Sequence, residues 1–447
     1  MRDRLRRSEE QARKHRPDYW LFILSIVLLV VGVIVVYSIS PALGKAHGVS
    51  GDFFIAKQGI AIGIGLAAFF VTSRIPTQYW RQMVGVLAVV AGLITLVALV
   101  MPVDPQYPAH RWIRLGGFSF QSVELVKFAL LVWLAGMLAS RVDAGTIRSD
   151  NGVLRPLALA FLGVSVVVAV IQSDLGSMMV IIAMMSMMAF VAGLPLRRLA
   201  IGAVAILIVV TLAVSTTPYR RERLATFFHP TADCQSAGYQ ACQALIAVGS
   251  GGVAGLGLGG SVQAYGYLPE AANDSIFAIY AEKFGFLGVT VLLAIFAAFF
   301  ARLKGLAERA PDNFSRLVVM GILAWLATQT IINVGAMLGL LPLKGITLPL
   351  VSYGGTSVVF ILAALGVVFN ISRYTTFAVP VGDLRSAAGA AGNGVGAGIP
   401  VSGSGSRDMQ RTTGLGTAGT TRAFNRQSIE RTTNPGSIDR RLRRPMK

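Results

Sequence analysis

Charge is what this chain has least of. Of its 447 residues only 14% are Asp, Glu, Lys or Arg, while 54% are hydrophobic; a soluble globular domain carries about a quarter charged residues. That deficit excludes an ordinary soluble enzyme. Acidic residues are the scarcer sign, 21 against 40 basic, which leaves a net charge of +19. In a membrane chain such an excess reports which side the loops face, so it is no argument for nucleic acid, and no nucleic-acid partner is expected. Histidine is also rare: His15, His47, His110 and His229 are scattered, with no His-Glu-x-x-His, and the two cysteines form no Cys-x-x-Cys. A zinc cage is therefore not expected. No phosphate-loop lysine motif occurs, so ATP does not drive the protein directly. The stretch from Gly249-Ser250-Gly251 to Ala254 fits a dinucleotide glycine pattern only loosely, because no strand is expected before it.

What is abundant is long apolar runs. A membrane helix needs about 20 largely apolar residues, and ten segments qualify: 20–40, 54–72, 79–102, 123–139, 156–171, 175–193, 198–215, 275–301, 317–338 and 350–372. The fifth and sixth are read as two spans because Gln172, Ser173 and Asp174 interrupt them. The expected fold is an all-α integral membrane protein of ten helices. The first span is too long for a cleaved signal core, and more spans follow it. An even number of spans puts both termini on one side. Thirty of the forty basic residues then fall on that side, which the positive-inside rule makes cytoplasmic. The expected domains are a basic cytoplasmic N-terminus (1–19), a ten-helix membrane domain (20–373) and a basic cytoplasmic tail (374–447). The tail is rich in Gly, Ser and Thr, so it is expected to be disordered. It reads as a solvated linker near anionic membrane lipid or as a docking arm for an acidic partner.

One outer loop, 216–274 between spans seven and eight, is far longer than the rest, and a loop of that length is uncommon without a function. It holds both cysteines, Cys234 and Cys242. Outside the cytoplasm these can bridge or remain free thiols, and the bridge is the first expectation.

Ionisable groups within spans are functional candidates by default. Glu124 and Lys127 are spaced i, i+3 and share a helix face, as a structural ion pair or as a pair that also holds an anionic ligand. Asp174 stands where it can cap the sixth span. By position alone Asp274 has the same capping reading for the eighth, although a carboxylate at the mouth of a membrane cavity also suits a general base. The loop from Leu341 to Ser357 is dense in Pro, Gly and hydroxyls. With Lys344, Ser352, Tyr353 and Gly354 it suits a pyrophosphate or sugar, or serves as a structural plug. The Met-rich sixth span reads as packing and lipid contact.

Taken in order, five motifs resemble the SEDS family of bacterial cell-wall polymerases, the FtsW and RodA group, over about 350 residues. They are Arg111-Trp112-Ile113 with Phe118-Ser119-Phe120-Gln121 and Glu124 to Lys127; Gln172 with Asp174-Leu175-Gly176; Ile246-Ala247 to Gly252; Tyr267-Leu268-Pro269-Glu270 with Asp274; and Lys344-Gly345 to Ser352-Tyr353-Gly354-Gly355. The resemblance implies a peptidoglycan glycosyltransferase that polymerises lipid II at the outer face of the bacterial cytoplasmic membrane. Gly260-Ser261-Val262-Gln263 and the Lys344–Pro349 stretch look more like the septal FtsW branch, which implies a place at the division septum.

By the same resemblance Asp274 is the catalytic base. Arg111, Trp112, Glu124, Lys127, Lys344, Ser352, Tyr353 and Gly354 bind substrate, while Asp174, Glu270 and Glu282 take secondary or structural roles. No certain cofactor is implied, with a divalent cation, Mg or Mn, as an alternative to basic side chains at the leaving pyrophosphate. The implied partners are a class B penicillin-binding protein and other division proteins, the latter through the C-terminal tail. Small residues Ala294, Ala297 and Ala298 would permit close helix contact. Three departures stand out: Ala272-Asn273 precede Asp274 and Ser275 follows it, in place of the usual His-Thr and Phe; Ser122 and Ser173 replace prolines; and Glu282-Lys283 replaces Glu-Glu. A lipid II transporter and a division scaffold without chemistry are the rival readings.

Overall fold

A computed structural model describes residues 13–14, 16–101, 111–115, 118–147, 153–198, 201–202, 234–236 and 238–375. Among these the chain is almost wholly helical. The helices are α1 (Tyr19–His47), α2 (Phe53–Thr72), α3 (Thr77–Gln82), α4 (Val84–Val100), α5 (Ser122–Asp143), α6 (Arg155–Ser165), α7 (Leu175–Val191), α8 (Tyr239–Ser250), α9 (Ile276–Glu308), α10 (Asn313–Met337) and α11 (Gly355–Ile371). A π-helical turn (Val166–Ile171) extends α6. Two short antiparallel pairs complete the described elements: β1 (Arg13–Lys14) with β4 (Tyr374–Thr375), and β2 (Trp112–Leu115) with β3 (Phe118–Gln121), where Ile113 faces Phe120 in register.

Five helices, α1, α2, α5, α9 and α10, are long and apolar enough to cross a membrane by length and composition. The segments Val84–Val100, Arg155–Ala169, Leu175–Val191 and Gly355–Ile371 are apolar but shorter. Most of the seventh expected span, and the first part of the long outer loop, lie outside the described residues, as does the tail beyond 375. The expected third span is two helices, because the chain turns at Met83, which closes α3 and opens α4. The expected tenth span begins five residues late. Leu350 has a left-handed φ of 64°, so the chain before Gly355 is irregular although apolar. The long outer loop is partly ordered by α8, and the structure joins Cys234 to Cys242 in a disulfide with Cα atoms 5.6 Å apart.

Exposed apolar stripes on the helices mark a lipid-facing surface. On α4 these are Val86, Val89, Val90, Leu93, Leu96, Val97 and Val100, which recur at helical spacing and stay exposed, while Ala91, Thr95 and Ala98 turn inward. Inside, α2 packs along α11, and the approach is close enough to require glycine. A Cβ on Gly366 would stand 2.1 Å from Thr72 Oγ1 and 2.4 Å from the Phe69 carbonyl. The Met-rich α7 divides as expected: Met178, Met184, Met185 and Met188 are buried, while Met179 and Met187 face outward.

Polar contacts tie helix ends together at one end of the bundle. Asp18 caps α1, its backbone N–H donates to Ser372 Oγ at 3.0 Å, and its carboxylate meets Arg302 at 2.6 Å. Arg81 pairs with Asp312 at 2.8 Å, and Asn370 Nδ2 donates to the Ser73 carbonyl at 2.7 Å. The starts of α5, α7, α9 and α11 lie at the other end of the bundle, and the sequence-predicted site residues belong to them.

Candidate active site

Asp274 immediately precedes α9 and is buried. The N-cap position of that helix belongs to Ser275, which corrects the capping reading for Asp274. Ser275 is fully buried and anchored, its Oγ donating to the Pro269 carbonyl at 2.9 Å and accepting from Gln240 Nε2 at 3.1 Å. Asp274 instead lines a water-sized cavity of about 10 Å³ with Asn333 and Met337 of α10 and with Lys344, Gly345 and Ile346 of the following loop. The structure thus brings a carboxylate and a lysine from distant parts of the sequence to the walls of one cavity. A larger cavity of about 350 Å³, lined by Arg81, Trp133, Ser140 and Asp143 at the opposite end, holds none of the predicted site residues.

The loop from Lys344 to Gly354 is stapled to the segment that carries Asp274. Ser352 Oγ donates to the Asn273 carbonyl at 2.6 Å and accepts from the Leu348 N–H at 2.7 Å. The Tyr353 N–H donates to the Ala272 carbonyl at 2.8 Å, and its ring meets Phe54 edge-on. Ser352, predicted as a substrate contact, therefore has its only proton committed to the backbone. Gly354 stands at the N-cap of α11. Glu270 is exposed with φ 51° and accepts from Asn273 Nδ2.

Glu124 and Lys127 open α5, one turn apart and both buried. Lys127 Nζ lies 2.7 Å from Glu124 Oε1 and 4.9 Å from the centre of the Trp325 ring. Glu124 Oε2 is buried without a hydrogen-bond partner among the described residues. Arg111 and Trp112 lead into the β2–β3 hairpin, Arg111 half-buried and Trp112 at the surface. The hairpin is held to α11 by Thr356 Oγ1, which donates to the Ser119 carbonyl at 3.0 Å.

Asp174 caps α7. Its carboxylate accepts from Ser177 N–H and Ser177 Oγ, each at 2.9 Å, and from Gln121 Nε2 at 3.3 Å. Just beyond it the loop presses on Gly176, where a Cβ would lie 2.8 Å from the Lys344 carbonyl.

Glu282 is a structural anchor. Buried in α9, it accepts from Ser261 Oγ, from the Val262 N–H at 2.9 Å and from the Gln263 N–H at 3.2 Å. Next to it Lys283 Nζ donates to the Leu258 carbonyl at 2.5 Å. Here α9 breaks at Gly285, with φ 62° and ψ −164°. The freed backbone groups pair with the glycine-rich loop: Leu256 and Gly257 N–H donate to the Glu282 and Lys283 carbonyls, while Phe286 and Leu287 N–H donate to Gly252 and Val253. The run of glycines that loosely imitates a dinucleotide motif therefore serves backbone-to-backbone approach. A Cβ on Gly255 would stand 2.2 Å from the Lys283 carbonyl.

Sequence reasoning weighed charges and passed over buried amides. Asn333 Nδ2 donates to the Ile346 carbonyl at 2.6 Å and to the Asp274 carbonyl at 2.7 Å. Gln329 Nε2 donates to Thr347, and Gln58 Nε2 to the Ser352 carbonyl at 3.3 Å. The signal was present: Gln329 and Asn333 are polar, sit in an apolar span and are four residues apart.

Among the described residues no three His, Cys, Asp or Glu side chains gather into a metal-binding group. Asp274 is the one carboxylate among the residues lining the cavity, so the described residues do not build a cage for a divalent cation there.

Comparison with known proteins places these features in a family. Residues 19–377 match the family described as cell cycle protein, that of FtsW, RodA and SpoVE. A probable peptidoglycan glycosyltransferase FtsW of Saccharophagus degradans is 37% identical over 362 residues, covering 80% of this chain and 92% of the relative. Stage V sporulation protein E of Bacillus subtilis is 35% identical over 367 residues, covering 82% and 99%. Among solved structures, a chain from a peptidoglycan synthase complex that coordinates polymerization and crosslinking superposes with a TM-score of 0.67 at 29% identity, covering 80% of this chain and 98% of that one. The rod shape determining protein RodA of Thermus thermophilus superposes with a TM-score of 0.60 at 27% identity, covering 80% and 97%.

Proposed function

The chain belongs to the FtsW, RodA and SpoVE family of cell cycle proteins, and from that premise we propose that it is a multi-pass membrane peptidoglycan glycosyltransferase of the septal, FtsW type. The FtsW relatives support both the chemistry and the septal role. Its substrate is lipid II, and its partner is a class B penicillin-binding protein. The synthase complex that couples polymerization to crosslinking supports that partnership, and the exposed small face of α9 at Ala294, Ala297 and Ala298 suits a single partner helix. Ten spans, cytoplasmic termini and an extracytoplasmic loop over 216–274 complete the architecture. The boundaries are those read from the sequence: 1–19, 20–373 and 374–447.

One observation carries the mechanism: Asp274 and Lys344 line one cavity. The 4-hydroxyl of the GlcNAc of one lipid II attacks the anomeric carbon of the MurNAc of another. The new glycosidic C–O bond forms as the bond to the pyrophosphate breaks, with inversion. Asp274 takes the hydroxyl proton, and undecaprenyl pyrophosphate leaves with the electron pair. Lys344, Arg111 and Lys127 supply positive charge toward the departing pyrophosphate, and Glu124 pairs with Lys127. The assay is polymerisation of labelled lipid II by the chain co-purified with its transpeptidase. Glycan strands that disappear in Asp274→Ala support the reading. Strands that persist overturn the site assignment, and wild-type protein that only moves lipid II across a bilayer makes it a transporter.

A further inference from the structure

α10 carries a row of polar side chains that the chemistry above leaves unused. Trp325, Gln329 and Asn333 recur every four residues, share one helix face and are all buried. They are linked in sequence. Trp325 Nε1 donates to Gln329 Oε1 at 2.8 Å, Gln329 Nε2 donates to the Thr347 carbonyl at 3.0 Å and to Thr347 Oγ1 at 3.1 Å, and Asn333 closes on the carbonyls of Ile346 and Asp274. At the far end of the row the Trp325 ring faces Lys127.

Two irregular segments, one before α9 and one before α11, therefore meet through a single amide group. An amide that gives both protons to carbonyls from separate segments fixes their separation to within a hydrogen-bond length. An apolar residue there would leave two buried carbonyls short of a donor. The carbonyls are those of Asp274 itself and of Ile346, two residues beyond Lys344, so the distance Asn333 sets is the one across the cavity.

We propose that Asn333, backed by Gln329, is a positioning residue of the transferase: it holds the Lys344–Thr347 segment in register with Asp274 so that base and cation face the same substrate. This rests on the roles given above to Asp274 and Lys344. Asn333 acts through the backbone of Asp274.

The test uses the full chain co-purified with its transpeptidase partner, with initial rates measured over a range of lipid II concentrations. Asn333→Ala removes the donors, Asn333→Asp keeps the shape and loses them at neutral pH, and Gln329→Ala removes the support. Turnover per folded molecule is expected to fall about 10- to 100-fold in both Asn333 variants, and by less in Gln329→Ala, because small misplacements of reacting groups are that costly. The KM for lipid II stays within about twofold, since both Asn333 amide protons go to backbone carbonyls and neither is left for the substrate. A merely structural role would lower the thermal midpoint and leave turnover of the folded fraction alone. That result, or turnover within about twofold of wild type in Asn333→Asp, overturns the proposal.

Hydrogen exchange gives a readout independent of activity. Protection in 344–349 and in 271–275 should fall together in each Asn333 variant that folds, and in Gln329→Ala if neither does. Unchanged protection overturns the proposal. A wild-type complex with no polymerase activity overturns the functional reading instead, and the exchange data then decide whether Asn333 couples the two segments.

Discussion

Lys127 and Glu124 form a 2.7 Å ion pair that is almost wholly removed from solvent, each side chain at most 4% exposed. Two charges so placed depend on each other. Breaking a buried pair by removing one partner costs about 3–5 kcal/mol, whereas replacing both by apolar residues is often neutral. Glu124→Gln and Lys127→Met should therefore each lower stability by roughly 3 kcal/mol, and Glu124→Leu combined with Lys127→Met by much less. Thermal unfolding of the detergent-solubilised chain measures this. The two variants without Lys127 should also lose polymerase activity, because Lys127 is the charge assigned to the pyrophosphate. A double variant that is both stable and active would make the pair purely structural.

The contact between α2 and α11 makes a second, sharply local prediction. Gly366→Ala drives a Cβ into Thr72 Oγ1 and the Phe69 carbonyl. Since the nearest backbone atom cannot swing aside, the two helices must separate, at a cost of about 1–3 kcal/mol. Gly63 lies on the same helix pair, on the outward face of α2, where an added Cβ meets nothing within 4 Å. Gly63→Ala should be neutral or stabilising by roughly 0.5–1 kcal/mol, as expected for Ala over Gly inside a helix. The difference between the two midpoints is the measurement. Equal effects would mean that α2 and α11 are not in close contact.

Glu282 makes a third. Its carboxylate accepts from one hydroxyl and two backbone N–H groups, all in the segment Ser261–Gln263. Hydrogen bonds to a charged group contribute about 1.5–3 kcal/mol, and Gln keeps the shape while losing the charge and one of the acceptor oxygens. Glu282→Gln should thus loosen the loop before it touches the bundle. Limited proteolysis or hydrogen exchange should report the change at 256–265, while α5 and α10 remain protected. Loss of protection throughout the chain would instead make Glu282 a support of the whole fold.

The same residues show how far the sequence could be read. Apolar runs located α1, α2, α5, α9 and α10 because a span must satisfy its own backbone and cover itself with hydrocarbon. The Gln172–Asp174 break was legible for the same reason, as three polar residues cannot continue a lipid-facing helix. The late start of α11 was not, because Leu350 and Val351 are as apolar as any helix residue, and only the left-handed backbone at Leu350 separates loop from helix. Nor was the kink at Gly285, which depends on the glycine-rich loop some thirty residues earlier meeting the exposed carbonyls. At the site the charges declared themselves by their cost in a membrane. The amides Gln329 and Asn333 gave the weaker signal of polar residues in an apolar span, but their partners are largely backbone carbonyls, which no residue type reveals in advance.

Ser173 provides the last prediction, and it revises one of the departures noted in the sequence. The turn between α6 and α7 holds Ser173 at φ 52°, left-handed backbone that a residue other than glycine adopts only at a cost. The serine stands where the resemblance leads one to expect proline. Proline is locked near −65° and cannot take this conformation. The turn also has work to do: Asp174 N–H donates to the Val168 carbonyl at 2.8 Å, and the Asp174 carboxylate caps α7 against the loop that carries Lys344. Ser173→Gly should stabilise the chain by roughly 0.5–1 kcal/mol, since it removes the strain of the left-handed position. Ser173→Pro should cost about 3 kcal/mol or rearrange the turn. If it rearranges, the cap at Asp174 is lost with it, and hydrogen exchange at Ser177 and Met178 should rise even where the helix core is unchanged. A proline variant as stable and as protected as wild type would mean that the turn does not hold the left-handed conformation, and that the substitution of serine for proline carries no structural consequence.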